Sequence, residues 1–218
     1  MATESSRPPV TRPRLWDVAA RVLIVVGFFA VWWAVYLWTN ARGSEPGRAV
    51  YLTRPYDLVP GIVQPWTAVV YLAGGLALPL LPFWYYREWP RLRFVLACYA
   101  VASALAFACY LLWPVGIVRP SYDGPGLGNW LMRHVVEVDD EANCCPSSHV
   151  LFAVLPAVLV GRGGAGRPVR LLVWGLAVAV CVTTVTTGQH YALDAAGGAA
   201  AALAGYFAAR RFFSPPPF

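Results

Sequence analysis

Apolar residues fall in long blocks along the chain, separated by short polar stretches. Six such blocks lie within residues 15–211, at 16–38, 65–86, 92–118, 147–160, 169–186 and 190–209. A helix needs about 20 apolar residues to cross a bilayer, and only the block at 147–160 is clearly shorter. The pattern predicts an all-α, polytopic membrane protein built as a bundle of six transmembrane helices.

Polar segments set the expected boundaries of this bundle. Residues 1–14 are rich in Pro, Arg and Ser and predict a disordered cytoplasmic tail, residues 15–211 a six-span membrane catalytic domain, and residues 212–218 a short C-terminal tail. The last two blocks have almost no gap between them, which predicts a tight helical hairpin. Small residues at helical spacing in the sixth block predict close helix packing: Gly197, Gly198, Ala201 and Gly205.

Composition agrees with a membrane location. The 218 residues are 58% hydrophobic and only 13% charged, whereas soluble domains carry about 25% charged residues. All 17 basic residues are arginine and the net charge is +6. Because the arginines form short clusters between apolar blocks, they favour membrane orientation over nucleic-acid binding. The five cysteines lack metal-type spacing, so no zinc site is expected.

The arginines also predict the orientation of the bundle. Six crossings place both termini on one side, together with Arg7, Arg12, Arg14, Arg87, Arg91, Arg93, Arg162, Arg167, Arg170, Arg210 and Arg211. The opposite side holds fewer arginines, namely Arg42, Arg48, Arg54, Arg119 and Arg133. Cytoplasmic loops carry the excess of positive charge. We therefore expect a cell (inner) membrane protein with cytoplasmic termini, whose 119–146 loop faces outward.

His190 and Asp194 lie four residues apart at the start of the sixth block. On a helix this spacing puts both on one face, where the carboxylate can accept an imidazole N–H and leave the other ring nitrogen as nucleophile or base. The alternative is a polar pair that only holds helices together. Ionisable residues beside a span favour the functional interpretation.

The 146–149 segment, Pro-Ser-Ser-His, predicts the start of the fourth helix, with free N–H groups that bind anions. Taken alone, Ser147 and Ser148 indicate an ordinary helix cap, and Arg119 an interfacial anchor. Together with His149 and the His190 pair they predict a phosphate site. Arginine and the helix start would hold the phosphate, one histidine would attack phosphorus, and the other would protonate the leaving oxygen. Neither metal nor cofactor is required.

These residues resemble the motifs of the type 2 phosphatidic acid phosphatase superfamily, which are K-x6-R-P, P-S-G-H and S-R-x5-H-x3-D. Arg119-Pro120 matches the end of the first motif, the 146–149 segment matches the second with Ser148 in place of glycine, and His190 and Asp194 match the third. The resemblance covers about residues 50–210. It implies a six-helix bundle in which His190 forms a phosphohistidine, Asp194 orients it, His149 is the general acid and Arg119 binds phosphate.

Two motif cations are missing. The lysine of the first motif falls at Leu112, and the Ser-Arg pair of the third falls at Thr183 and Thr184. Arg133 and His134, in the 119–146 loop, are candidate replacements.

Such losses resemble the inositol phosphorylceramide synthase and sphingomyelin synthase branch, as do residues 186–194 and Pro55-Tyr56-Asp57. Two functions therefore stay open: an enzyme acting on a phosphorylated lipid, with water or a hydroxyl as acceptor, or a non-catalytic membrane protein such as a carrier or degenerate family member. In the enzyme, His149 and His190 should face each other within about 10 Å, because one phosphate must touch both.

Overall fold

A computed structural model describes residues 15–52 and 61–213. The predicted tail at 1–14, the Pro55-Tyr56-Asp57 segment and residues 214–218 lie outside the described residues. The contacts divide the chain into two compact units at Ala34/Val35. The first unit contains residues 15–34 of one apolar helix, and the second contains the rest of that helix and every other described element. The domain boundaries expected from sequence stay predictions.

The described residues are mostly helical. The helices are α1 (Leu15–Gly43), α2 (Ala68–Ala77), α3 (Leu81–Tyr85), α4 (Trp89–Leu112), α5 (Leu127–Val138), α6 (Ser148–Arg162), α7 (Arg167–Thr186) and α8 (Ala192–Phe212). Turns of 3-10 helix at Pro65–Thr67 and Leu78–Leu80 join α2 and α3 into one segment. Two short strands, β1 (Val50–Tyr51) and β2 (Val115–Gly116), pair in parallel.

Five helical segments of the described ranges are long and apolar enough to cross a membrane. They are Leu15–Gly43, Pro65–Tyr85, Trp89–Leu112, Arg167–Thr186 and Ala192–Phe212. These segments agree with five of the six predicted blocks, and they are consistent with an integral membrane protein. The sixth crossing, expected at 147–160, is not confirmed: α6 has 15 residues, which gives roughly 22 Å at 1.5 Å per residue.

Helix α6 is enclosed by its neighbours. Every residue from Val150 to Val160 is buried, and α6 packs against α2, α4, α7 and α8. One hydrophobic cluster between α6 and α7 contains Ala153, Ala157, Val173, Ala177 and Val180. A helix that is apolar all round is a buried core element, so α6 forms the centre of the second unit.

The small residues of α8 allow close backbone packing, as the sequence predicted. A Cβ at Gly205 would collide with Ala102 of α4, and one at Gly198 would collide with the Ser147 carbonyl oxygen at the start of α6. Glycine at these positions lets α8 approach both helices. The first turn of α8 is thereby brought to the beginning of α6.

Three sequence-based boundaries are wrong. The third block ends at Leu112 rather than Val118, because Pro114 cannot continue a helix and restricts the residue before it. The 119–146 loop contains α5, an amphipathic helix. The sixth block becomes helical only at Ala192. The strands β1 and β2 are a small departure from the all-α expectation.

Candidate active site

The turn between α7 and α8 carries His190. Gly188 has a φ of 75°, a conformation that favours glycine, and a Cβ there would lie 2.7 Å from Cγ of Pro120. The backbone N–H groups of Gln189 and His190 both donate to the Thr184 carbonyl oxygen, at 3.3 and 3.2 Å. The turn therefore sets His190 next to the Arg119-Pro120 segment.

The tautomer of His190 follows from its hydrogen bond. Its ring is buried, and Nδ1 lies 3.1 Å from the Cys144 carbonyl oxygen. A carbonyl oxygen only accepts, so Nδ1 carries the proton, and Nε2 of the neutral ring keeps its lone pair. Asp194 Oδ2 is 3.6 Å from Nδ1, which places a negative charge beside the ring without a short hydrogen bond.

His190 and Asp194 do not lie on one helix, so the predicted one-turn spacing on a helix face is wrong. Tyr191 is the N-cap of α8, so His190 precedes the helix. Asp194 turns back toward the helix start, where Oδ2 accepts the Tyr191 backbone N–H at 2.8 Å. This capping contact brings the carboxylate close to His190, while Cys144 accepts the hydrogen bond that was expected to go to Asp194.

His149 lies in the first turn of α6. Ser147 is the N-cap and its Oγ accepts the Val150 backbone N–H at 3.4 Å, which confirms the predicted helix start. Ser147 and Ser148 are both buried. The His149 ring stacks on Tyr71 of α2, with ring centroids 4.0 Å apart, and its Nδ1 lies 3.0 Å from the Tyr71 hydroxyl.

The two histidine rings lie close together in an edge-to-face arrangement. Their centroids are 6.0 Å apart at an interplanar angle of 60°. This separation is below the limit of about 10 Å expected for two rings that contact the same phosphate. The Ser147 backbone N–H also donates to the Asp194 carbonyl oxygen at 2.9 Å. A main-chain contact thus joins the segment bearing His149 to the segment bearing Asp194.

Arg119 forms a buried ion pair with Asp139, at the end of α5. Its Nη2 lies 2.9 Å from Asp139 Oδ2 and 3.0 Å from the Asp140 carbonyl oxygen, and its Nη1 donates to the Asp139 carbonyl oxygen. Asp139 Oδ1 accepts from the Tyr36 hydroxyl at 2.9 Å and from Asn40 Nδ2 at 2.7 Å. The ion pair therefore ties Arg119 to the last turns of α1.

The guanidinium of Arg119 stays charged in this setting. Burial lowers the pKa of Arg119, but the neighbouring Asp139 carboxylate and weaker acidic groups outweigh burial, so the pKa is raised above its ordinary value. Its Nε–H is buried and has no hydrogen-bond partner among the described residues. Buried donors are nearly always paired in proteins, and this N–H is available to an anion.

Comparison with known proteins adds the family. A sequence model of the PAP2 superfamily matches residues 58–208, a stretch that includes His149, His190, Asp194 and Arg119. The chain is a member of the PAP2 superfamily. No curated protein matches it. Membership in the PAP2 superfamily supports a phosphatase-type enzyme.

The structure brings together most of the residues that resemble PAP2 motifs. His149, His190 and Asp194 lie at the α6–α8 junction, with Ser147 and Ser148 beneath them and Arg119 on the adjoining segment. The His149 and His190 rings are in contact, with centroids 6.0 Å apart. The roles expected for these residues stay predictions.

The positions of the missing PAP2 cations carry no replacement charge. Leu112 is 86% exposed, and the hydroxyls of Thr183 and Thr184 donate to carbonyl oxygens of their own helix, at 3.1 and 2.7 Å. Arg133 Nη1 donates to the Tyr122 carbonyl oxygen at 2.6 Å. His134 is exposed. In the described residues, no hydrogen bond or ring contact joins Arg133 or His134 to either site histidine.

Three side chains of this PAP2 member could hold a metal ion by position alone. A thiol, an imidazole and a carboxylate place ligand atoms within 4.8 Å of one another, from Cys144, His190 and Asp194. Burial, and then the Asp194 carboxylate, raise the pKa of the Cys144 thiol well above its ordinary value. Metals bind the thiolate, so binding at this cluster would have to displace the proton of the Cys144 thiol near neutral pH.

Sequence reasoning missed several parts of the site. Tyr71 and the Cys144 carbonyl hold Nδ1 of the two histidines, and neither residue stands in a PAP2 motif. Asp139 is one of several acids in the 119–146 loop, and the sequence does not distinguish it from the others. Tyr71 and Asp139 are distant in sequence from the groups they contact, by 78 and 20 residues, so local patterns give no signal for either contact.

Proposed function

We propose that this protein transfers the phosphoryl group of a phosphorylated membrane lipid through a phosphohistidine at His190. The observation that supports the proposal is the pair of facing imidazoles, 6.0 Å apart. In each ring Nδ1 contacts a protein group, and Nε2 has no protein hydrogen bond within residues 15–52 and 61–213. Two imidazoles with free Nε2 atoms are suited to nucleophilic attack and to proton transfer.

The proposed reaction has two steps. The Nε2 lone pair of His190 attacks phosphorus, the bond from phosphorus to the leaving oxygen breaks, and protonated His149 gives that oxygen its proton. An acceptor hydroxyl or water then attacks the phosphohistidine while His149 takes the acceptor's proton, and the phosphorus–nitrogen bond electrons return to His190. The negative charge of Asp194 stabilises the His190 imidazolium character that develops as the bond forms.

Arg119 and the start of α6 are the proposed phosphate ligands. The unpartnered Nε–H of Arg119 and the helix-start N–H groups near Ser147 and Ser148 offer donors to the equatorial oxygens. Asp139 already neutralises much of the Arg119 charge. We therefore propose that phosphate binding depends more on directed N–H groups than on net charge, in keeping with the lost lysine and arginine of the family motifs.

The acceptor separates two forms of this function. Water makes the protein a lipid-phosphate phosphatase, and a lipid or inositol hydroxyl makes it a phospho-headgroup transferase. The resemblance of residues 186–194 to the inositol phosphorylceramide synthase branch favours transfer to a hydroxyl.

A panel of lipid substrates tests the function and the acceptor together. Purified full-length protein in lipid vesicles is supplied with phosphatidic acid, lysophosphatidic acid, phosphatidylinositol and a ceramide acceptor, while free phosphate and new lipid products are both followed. Turnover of at least one phospholipid is expected. A protein that turns over none of them, but binds or moves lipid, is the non-catalytic carrier, although the facing histidines favour an enzyme.

We further propose that α6 is a sixth crossing, so that both termini are cytoplasmic and the site faces outward. The excess of arginine on the side of the termini supports this orientation. Reporter fusions at Phe218 and within the 123–140 loop are expected to report opposite sides of the membrane, with Phe218 cytoplasmic. Fusions reporting the same side, or Phe218 outside, contradict the proposed topology.

Activity is expected to persist in EDTA. The proposed mechanism uses Arg119 and two imidazoles, and the Cys144 thiol is protonated near neutral pH unless a metal displaces its proton. The measurement is turnover before and after chelation, followed by addition of single divalent ions. Loss of activity that one ion restores would overturn this view, and Cys144→Ser would then show whether the Cys144, His190 and Asp194 cluster binds that ion.

A further inference from the structure

Tyr71 is in direct contact with the proposed general acid, His149. It belongs to α2, its side chain is buried, and its hydroxyl lies 3.0 Å from His149 Nδ1. Resting on the proposed function, we infer that Tyr71 is a positioning residue that holds the His149 ring for proton transfer at Nε2.

Stacking and the hydroxyl act together in this contact. The rings are 4.0 Å apart at an interplanar angle of 26°, so the hydroxyl approaches Nδ1 obliquely rather than in the plane of the imidazole. An oblique hydrogen bond is weak. Stacking therefore fixes the plane of the His149 ring. The hydroxyl fixes the rotation of the ring within that plane, with Nδ1 toward Tyr71.

A phenol hydroxyl suits a residue that gains and loses a proton. Its oxygen accepts the Nδ1–H of charged His149, and it still accepts this N–H from the neutral ring that forms when Nε2 gives up its proton. His190 differs, because Asp194 adds negative charge beside its Nδ1. The groups around each ring therefore suit different roles. His190 keeps a fixed tautomer for nucleophilic attack, and His149 gives up and regains a proton.

Gly75 supplies the second part of the same contact, one helical turn after Tyr71. A Cβ at Gly75 would lie 2.9 Å from His149 Cδ2 and 3.5 Å from Nε2. The ring edge near Nε2 thus rests against the backbone of α2. A side chain at position 75 would displace the atom that transfers the proton.

Tyr71→Phe tests the hydroxyl while retaining the stacked ring. Two substrates are compared: an alkyl lipid phosphate, whose leaving oxygen needs a proton, and p-nitrophenyl phosphate, whose leaving group does not. Tyr71→Phe is expected to lower kcat for the alkyl substrate about tenfold, with little change in KM. First-turnover release of p-nitrophenolate should stay within about twofold of the parent. Tyr71→Leu, which also removes stacking, should enlarge the selective loss.

Matched variants separate positioning from folding. Tyr99 is a buried tyrosine whose hydroxyl donates to the Pro79 carbonyl oxygen at 3.0 Å, away from the site, so Tyr99→Phe is expected to behave like the parent. Gly75→Ala should reproduce the selective loss without removing a hydrogen bond. Its control is Gly175→Ala on α7, where an added Cβ meets nothing within 4 Å.

The outcomes distinguish this inference from the proposed function. Selective loss on the alkyl substrate in Tyr71→Phe or Gly75→Ala supports positioning. Equal loss on both substrates, or parental activity in both variants, overturns the inference and leaves the function standing. A parent protein that turns over neither substrate overturns the function itself.

Discussion

Replacing His190 with alanine is expected to abolish turnover, lowering kcat roughly ten-thousand-fold or more. The physical reason is that Nε2 of His190 is the proposed nucleophile, with its tautomer fixed by the Cys144 carbonyl. Without it no phosphohistidine forms, and an activated leaving group cannot restore the step. The measurement is labelled phosphate retained on the denatured protein at alkaline pH, together with steady-state turnover.

His134→Ala is the matched control. The chain has three histidines, and His134 is exposed on α5 with its ring against Trp130. It should retain both the label and parental turnover. If His190→Ala keeps its label while His149→Ala loses it, the two histidines have the opposite roles. If neither substitution changes turnover, the facing rings are not a catalytic pair.

His149→Ala is expected to slow turnover of an alkyl lipid phosphate by about 10²–10⁴-fold, the usual contribution of a general acid. The alkoxide leaving group must gain a proton as its bond to phosphorus breaks. Among the described residues, His190 is the other imidazole near His149, and in the proposed reaction it is bonded to phosphorus at this step. Phosphohistidine should still form, slowly, and should then persist, since His149 is also the proposed base of the second step.

An activated substrate separates the two steps of this variant. With p-nitrophenyl phosphate, His149→Ala should recover parental first-turnover release of p-nitrophenolate and then stall at the phosphohistidine. The same substrate should not rescue His190→Ala. Failure of p-nitrophenyl phosphate to rescue the first turnover of His149→Ala would show that His149 does more than protonate the leaving group.

Elements with a strong local signal were predicted well from the sequence. The lengths of the apolar blocks predicted five candidate membrane spans to within about six residues at each end. The Ser147 cap was predictable from the sequence because capping depends on neighbouring residues. The small residues of α8 were assigned to helix packing for the same reason. By contrast, Pro114 ended α4 earlier than average hydropathy suggested, since proline acts at a single position that a long apolar block conceals.

The candidate site was only partly predictable. His149, His190, Asp194 and Arg119 were visible as motif residues, but their partners were not. The amphipathic helix α5 has a recognisable sequence signal, since Leu127, Leu131, Met132 and Val135 recur at helical spacing. With 12 residues, however, it is too short to stand out as a membrane span. Tyr71 and Asp139 depend on contacts across the fold, which propensity and spacing do not encode.

The main-chain contact from Ser147 to Asp194 bears on how new substrates can arise in this lineage. The two histidine-bearing segments meet through backbone atoms, and Gly198 leaves no room there for a side chain. Substitutions can therefore change the distance between His149 and His190 very little unless they disrupt the packing of α6 against α8. Among the described residues, helix α5 makes no such main-chain contact with either histidine-bearing segment. Under the proposed function, selectivity for lipid and acceptor can therefore diverge at α5 while the reaction stays the same.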